Sequence, residues 1–319
     1  MCTGSTTGAQ IVKPTSKSII ILSSKSSGSS ALQELLCEFA GGKHAEHTRH
    51  GERETLYWTK AASVLGMPQR KLPDSEVPIH ATKARRELVQ FLKNNVPDFQ
   101  HPVDAEELVF QGWHALALRY APVFVEKSPH HLHQWSCLEL LQRATGILPD
   151  VDFRFVGLVR NPMDVLYSAW MRWRIRPEIF QQHWREAHEN LERFRDVAGR
   201  RLTIVRYEDL SAGTGAAREL LQQLGLMDCK SGVDTYIHAS SRLKWKKDGA
   251  FGFCLNPAVK AVAKRFGYTD EQLDNRPLPT WRLHSWVARS RHLVFRRPVA
   301  RIRRLMRGSS KLHPDWAGP

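Results

Sequence analysis

The chain has 319 residues, of which 42% are hydrophobic, so it is long enough for one large domain and too apolar to be wholly disordered. Its net charge of +15 is concentrated near the C-terminus. Residues 276–311 hold eleven Arg and Lys and no Asp or Glu, whereas the rest of the chain holds 36 basic and 32 acidic residues. A main body this close to neutral argues against a broad nucleic-acid interface, and we expect no specific nucleic-acid partner.

The sequence has no apolar run near the roughly 18 residues that span a bilayer, and its first residues carry neither the basic nor the apolar part of a secretory signal. The cysteines are odd in number, widely spaced and without a Cys-x-x-Cys pair: Cys2, Cys37, Cys137, Cys229 and Cys254. This pattern favours a reducing compartment over a disulfide framework. We therefore expect a cytoplasmic protein without a metal site.

Short apolar runs alternate with segments of helical periodicity along the chain. The predicted strands are 18–22, 122–125, 153–159 and 202–205, and the predicted helices are 31–39, 54–65, 83–92, 105–120, 132–145, 161–173, 177–198 and 216–224. Such alternation predicts an α/β fold in which helices cover both faces of a central parallel sheet. We expect a flexible lead at 1–17, one domain at 18–275 and a basic C-terminal extension at 276–319.

A Ser- and Gly-rich turn joins the first predicted strand to the first helix. A strand, a turn of small residues and a helix N-terminus together form an anion site, because backbone N–H groups and the helix dipole face the ligand. An ordinary βα turn is the alternative, and the missing Gly-Lys-Ser/Thr ending argues against a nucleoside triphosphatase. The candidate phosphate-binding residues are Lys25, Ser26, Ser27, Gly28, Ser29 and Ser30.

A second anion site is predicted where the strand at 153–159 ends in Arg160. Asn161 suits a helix N-cap and Pro162 suits the first helical position, so Arg160 should stand at the carboxyl edge of the sheet. Ser168 follows Asn161 by two helical turns on the same face. The alternative for Arg160 is a surface salt bridge, but a salt bridge would not require this strand–Arg–Asn–Pro–helix order.

Four collinear motifs between residues 18 and 230 resemble the sulfotransferases that use 3′-phosphoadenosine 5′-phosphosulfate (PAPS). They are Ser-Ser-Gly-Ser-Ser-Ala-Leu at 26–32, Val-Glu-Lys-Ser-Pro at 125–129, Leu-Val-Arg-Asn-Pro-Met-Asp-Val-Leu-Tyr-Ser at 158–168 and Val-Arg-Tyr-Glu-Asp-Leu at 205–210. The pattern is nearer to the carbohydrate and tyrosylprotein branches than to the small-phenol enzymes. The resemblance implies a P-loop-like three-layer α/β/α fold, PAPS as the sulfuryl donor and no metal.

The resemblance also implies roles for individual residues. The turn at 26–30 would hold the 5′-phosphosulfate, with its cation at Lys25, one residue earlier than is usual in the family. Arg160 and Ser168 would hold the 3′-phosphate. Lys127 would stabilise the leaving oxygen, although a salt bridge with a nearby acid is its alternative role. Tyr207 and Lys246 would lie near the nucleotide, and the neighbouring Trp245 would be either a lid over the adenine or part of the core.

A polar segment at 43–54 should contain the general base, since it follows the helix of the phosphate turn. In the tyrosylprotein branch the base precedes Thr-Arg, and His47 holds that position here. Imidazole is a competent base near neutral pH. We predict His47 as the base, with Glu46, His50, Glu52 and Glu54 as competitors.

The predicted function is therefore sulfuryl transfer from PAPS to a hydroxyl or amine of a glycan, a peptide or a small hydroxylated metabolite. The alternatives are a P-loop-type small-molecule kinase and a non-catalytic basic protein that binds membranes or nucleic acid. Apolar residues at helical spacing predict an amphipathic helix in the basic C-terminal segment, and Pro298, which is tolerated only in the first turn, limits this helix to about 298–307. It would either dock on the domain, which we favour, or make weak contact with a membrane surface.

Overall fold

The computed structural model describes residues 14–49, 52–72, 75–226, 231–292 and 294. Within these residues four strands form one sheet: β1 (Ser16–Ser23), β2 (Val123–Lys127), β3 (Val151–Val159) and β4 (Leu202–Arg206). All neighbouring strands are parallel, in the order β2-β1-β3-β4. The predicted parallel sheet is confirmed, and every predicted strand is present.

At least one helix follows each strand. The helices are α1 (Ser29–Ala40), α2 (Tyr57–Val64), α3 (Ala81–Asn95), α4 (Ala105–Arg119), α5 (Trp135–Ile147), α6 (Pro162–Trp173), α7 (Pro177–Ala198), α8 (Tyr207–Leu210), α9 (Ala216–Gln223), α10 (Lys244–Lys247), α11 (Pro257–Arg265), α12 (Asp270–Leu273) and α13 (Trp281–Arg291). Short 3₁₀ turns occupy His131–His133, Gly199–Arg201, Val233–Thr235 and Ala239–Ser241. The predicted bounds of α7 are confirmed at both ends.

Two boundaries differ from the sequence prediction for identifiable reasons. Strand β1 begins at Ser16, since its pairing with β3 starts there, so the predicted N-terminal lead ends at least two residues earlier than 17. Helix α2 begins at Tyr57 rather than 54. Leu56 has the left-handed φ of 51°, and its N–H donates to the Ser128 hydroxyl (3.0 Å) at the end of β2, which holds this backbone out of the helix.

The two faces of the sheet contribute to separate apolar cores. On β1, Ile20 and Leu22 belong to one core and Ile19 and Ile21 to the other, and all four are fully buried. The alternation follows from the two-residue period of a strand. Helices α2, α4, α5 and α7 cover the first face, and α1 and α9 cover the second. This arrangement is the expected three-layer α/β/α architecture.

The strand order places a topological switch at β1. The chain passes from β1 to β2 on one side and, after β2, crosses to β3 on the other. The carboxyl ends Ser23, Lys127, Val159 and Arg206 share one edge of the sheet. Open α/β sheets bind ligands in the crevice beside such a switch.

Part of the predicted C-terminal extension packs on this body. The Trp281 ring at the start of α13 lies 5.4 Å from the Trp170 ring and 5.0 Å from the Phe251 ring, and it is buried. The predicted basic helix at 298–307 lies outside the described residues. No helix in the described part of the chain is both long and apolar enough to cross a membrane.

A buried histidine in α7 makes the stability of this fold sensitive to acid. His188 is 0% exposed, stacks on Trp184 at 3.8 Å, and its Nδ1 lies 2.6 Å from the Trp184 carbonyl oxygen. Burial lowers the pKa of His188 to about 4. Between that value and about 6.5 the unfolded chain binds a proton that the folded chain does not, so stability is lost as the pH falls.

We predict that the free energy of unfolding decreases by about 2 kcal/mol more in wild type than in His188→Phe between pH 7 and pH 5. Urea unfolding at both pH values measures this difference. The control is His80→Phe, which replaces an exposed histidine instead of a buried one. Equal pH dependence of wild type and His188→Phe would contradict the prediction.

Candidate active site

The turn after β1 wraps around a tyrosine ring. Gly28 has a φ of 93°, and a Cβ built there would lie 2.5 Å from Cε2 of Tyr207. Glycine is therefore required both for the left-handed backbone and for the close approach of the ring. Ser26 is also left-handed, with a φ of 67°. The Tyr207 ring thus supports the turn from beneath, as the residue that follows β4.

Arg160 connects this turn to a distant segment of the chain. Its guanidinium donates to the Ser26 carbonyl (3.1 Å) and to the Ser241 carbonyl (2.9 Å), and it lies 4.5 Å above the Tyr207 ring. The Tyr207 hydroxyl lies 3.0 Å from the Ser241 hydroxyl. Arg160 is only 6% exposed, so its charge is held at the sheet edge largely out of water.

The larger of two neighbouring cavities, which we call the polar cavity, has a volume of about 840 Å³. Among its lining residues, Arg160 and Ser26 carry buried polar atoms, Nε and Oγ, without a hydrogen-bond partner in the described structure. Buried donors are rarely left unpaired in a folded protein, so these two fit a bound anion. The other cationic and hydroxyl residues of the lining are Lys25, Ser29, Ser30, Arg53, Ser168 and Arg172.

Lys127 ends β2 beneath this cavity and is 1% exposed. Its ammonium donates to the Ser30 hydroxyl (3.0 Å) and lies 3.6 Å from a carboxylate oxygen of Glu54 and 3.9 Å from one of Glu52. Lys127 therefore has both predicted features: it pairs with nearby acids, and it lies beside the phosphate turn. Lys25 lies at the rim, where its ammonium is 4.5 Å from the centre of the Trp173 ring.

A buried network fixes the loop that carries these carboxylates. Glu126 accepts hydrogen bonds from the hydroxyls of Thr55 (2.7 Å) and Ser128 (2.6 Å), and His131 Nδ1 lies 3.4 Å away. Burial would raise the pKa of Glu126, but His131 and the two hydroxyls outweigh it and the pKa is lowered. A charged Glu126 thus ties residues 52–56 to the end of β2 and holds Glu54 beside Lys127.

The second cavity, which we call the apolar cavity, has a volume of about 430 Å³. It shares Lys25, Glu54 and Pro129 with the polar cavity, so the two adjoin at Glu54. Three histidines line it: His130, His133 and His183. Burial, with the neighbouring imidazoles, lowers the pKa of His133 to about 3, so this ring is neutral at pH 7. Among the described residues, no group of three or more His, Cys, Asp or Glu could hold a metal ion.

Most of the predicted anion-binding residues come together at the polar cavity. Those that line it are Lys25, Ser26, Gly28, Ser29, Ser30, Arg160 and Ser168. Ser27 is buried inside the turn, where its hydroxyl lies 2.7 Å from that of Ser24. Tyr207 supports the turn from below and is not part of the described lining.

The structure places two other predicted residues elsewhere. His47 lines neither cavity in the described structure; its backbone N–H and carbonyl both bond the Asn95 side chain, at 3.2 and 2.9 Å. The Lys246 ammonium donates to the Glu271 carbonyl (2.7 Å), away from the described lining. Trp245 is 1% exposed and belongs to the core rather than to a lid. His50, a competing base, lies outside the described residues.

Sequence reasoning did not find Ser241, which receives two hydrogen bonds from Arg160. It lies 81 residues further along the chain, in a 3₁₀ turn without a motif. Asp164 holds this segment, since its carboxylate accepts the Leu243 N–H at 2.7 Å. Burial raises the pKa of Asp164 to about 6. Trp173 was also missed: it lies five residues after Ser168 at the end of α6, which is not on the same helical face, so helical spacing gave no signal.

Comparisons with known proteins agree with this geometry. The family model described as the sulfotransferase family matches residues 18–228. The sulfotransferase domain from the curacin biosynthetic pathway is similar in fold, with a TM-score of 0.50 and 18% identity over 81% of this chain and 99% of that chain. The sulfotransferase domain from the Synechococcus PCC 7002 olefin synthase gives a TM-score of 0.47 and 19% identity over 81% and 96%. No curated protein matches the chain.

The match covers the turn after β1, the end of β2, the Arg160 segment and β4, which are the elements that build the polar cavity. It does not distinguish branches, so nearness to the carbohydrate and tyrosylprotein enzymes stays a prediction. The matched residues make up about two thirds of the sequence. The chain belongs to the sulfotransferase family.

Proposed function

We propose that the protein transfers a sulfuryl group from PAPS to a hydroxyl or amine of a small acceptor. The observation that carries this proposal is the pair of buried, unpartnered donors, Arg160 Nε and Ser26 Oγ, at the polar cavity of a sulfotransferase-family chain. An anionic donor substrate would supply the acceptors that they lack. Family membership and the fold support sulfuryl transfer, and the cavity supports a nucleotide with two anionic groups.

Two groups of residues in the lining of the polar cavity suit the two anionic groups of PAPS. The turn at 26–30 and the N-terminus of α1 would bind the 5′-phosphosulfate through backbone N–H groups. Arg160 and Ser168 would bind the 3′-phosphate. Lys25 and Arg172 add positive charge at the rim. The nucleotide would then lie across the crevice beside β1.

In the proposed reaction, an acceptor oxygen or nitrogen forms a bond to sulfur while the bond from sulfur to the 5′-phosphate oxygen breaks. The products are the sulfated acceptor and 3′,5′-adenosine bisphosphate. Such a transition state is loose and in line, so catalysis depends on positioning and charge. Lys127 is buried beside Ser30, where its ammonium would stabilise the charge on the leaving oxygen.

Glu54 is the proposed general base. It is the carboxylate that lines both cavities, and its side chain is 17% exposed. An acceptor in the apolar cavity would therefore place its hydroxyl where the two cavities adjoin. There the hydroxyl would face both Glu54 and the sulfur atom of PAPS. Glu52 is more exposed, at 53%, and lines only the polar cavity. His47 lines neither, although as a general base it would have to reach the acceptor proton.

We predict that 3′,5′-adenosine bisphosphate raises the melting temperature in magnesium-free buffer and that ATP raises it less, because ATP lacks the 3′-phosphate for Arg160 and Ser168. Ligand binding to the native state alone stabilises it. Arg160→Gln should remove most of the shift. The control Arg143→Gln, which changes an exposed arginine paired with Glu106, should retain it. Equal shifts by both nucleotides would favour the kinase alternative.

We also predict that Glu54→Gln lowers kcat about 100-fold or more, because the variant cannot accept the proton. Transfer of labelled sulfate from PAPS to the best acceptor of a panel of glycans, peptides and hydroxylated metabolites measures this. Binding of 3′,5′-adenosine bisphosphate should remain close to wild type in Glu54→Gln. His47→Ala should retain most of its turnover. The reverse result, with turnover lost in His47→Ala and retained in Glu54→Gln, would identify His47 as the base.

A further inference from the structure

The apolar cavity has the dimensions and lining of a small-molecule site. Its volume of about 430 Å³ is within the usual range of ligand pockets. Its walls carry six apolar residues: Leu56, Leu72, Pro129, Ile175, Ile179 and Phe180. The other nine lining residues are polar or charged: Lys25, Glu54, Ser75, Glu76, His130, His133, Arg176, His183 and Arg289. A glycan has a hydroxyl on most carbons, and those placed against the six apolar side chains would be costly to desolvate. The lining instead fits an acceptor that has both an apolar body and polar groups.

The two acids of this cavity already have cationic partners. Glu54 pairs with Lys127 at 3.6 Å, and Glu76 pairs with Lys83 at 3.1 Å. Neither acid therefore gives the cavity an uncompensated negative charge. The charge that a ligand would meet depends instead on the three cations of the lining, Lys25, Arg176 and Arg289. Lys25 lines both cavities, and its ammonium lies 4.5 Å from the centre of the Trp173 ring.

Arg289 is the more enclosed of the two arginines. It extends from α13 and is half-buried, and its guanidinium donates to the Arg174 carbonyl at 3.2 Å. Within the described residues no carboxylate forms an ion pair with it. Arg176 is exposed and lies 3.8 Å from Glu178. A partly buried guanidinium without a counter-charge is costly, and its planar fork matches a carboxylate in two parallel hydrogen bonds.

We propose that the acceptor is a small amphipathic hydroxy acid, whose apolar body fills the apolar cavity and whose carboxylate binds Arg289. This inference rests on the proposed function and specifies the acceptor class. The hydroxyl of the acceptor lies at Glu54, where the cavities adjoin, and the carboxylate lies at α13. Helix α13, at the start of the predicted basic extension, is then part of the acceptor site.

Isothermal titration calorimetry on protein saturated with 3′,5′-adenosine bisphosphate tests the inference. The probes are 10-hydroxydecanoate and 3-(4-hydroxyphenyl)propionate, each compared with its methyl ester. At least one acid should bind wild type about tenfold or more tightly than its ester, as expected for a charge-assisted hydrogen-bonded pair. Arg289→Ala should remove this preference and leave ester binding unchanged, and Arg289→Lys should restore part of it.

Arg291→Ala is the matched control, because it removes the same charge from the same helix. Arg291 is exposed and does not line the cavity. This variant should keep the preference for the acid. Three results would overturn the inference: equal binding of acid and ester by wild type, no binding of any probe, or an undiminished preference for the acid in Arg289→Ala. If the nucleotide still binds in these cases, the proposed function stands. Failure of the nucleotide itself to bind would overturn both.

Discussion

The candidate site depends on a guanidinium held at the carboxyl edge of the sheet. Arg160 is 6% exposed and joins three parts of the chain: the turn after β1 through Ser26, the 3₁₀ turn at Ser241, and the Tyr207 ring after β4. Holding a charge out of water is unfavourable unless hydrogen bonds and an opposite charge compensate it. Two carbonyl oxygens supply part of that compensation. The Asp164 carboxylate interacts electrostatically with Arg160, and Arg160 Nε has no hydrogen-bond partner among the described residues.

The second constraint is the link between the two cavities. Lys127 is buried under the polar cavity, and Glu54 stands where both cavities meet, 3.6 Å from its ammonium. The Glu126 network and the left-handed Leu56 fix the loop on which Glu54 lies. The proposed proton acceptor, Glu54, and the proposed cation for the leaving oxygen, Lys127, are thus held in place by the same group of buried residues. This preorganisation is what sulfuryl transfer requires of a protein.

Local sequence patterns predicted the sheet and most of the residues that line the candidate anion site, because those features follow from neighbouring residues. Asn161 and Pro162 fixed the start of α6 and therefore the position of Arg160 at the strand end. The placements of His47 and Lys246 depend on partners far along the chain, Asn95 and the Glu271 carbonyl, that no local pattern specifies. Ser241 reaches Arg160, and Arg289 reaches the apolar cavity, through tertiary packing, and no motif marks either residue.

The most direct test of the central claim is a crystal structure with 3′,5′-adenosine bisphosphate bound. The account predicts the 3′-phosphate against Arg160 and Ser168 and the 5′-phosphate against the backbone N–H groups of the turn at 26–30, with Lys127 beneath it. Arg160 Nε and Ser26 Oγ should then have partners. A nucleotide bound with its phosphates away from Arg160 and this turn would contradict the account.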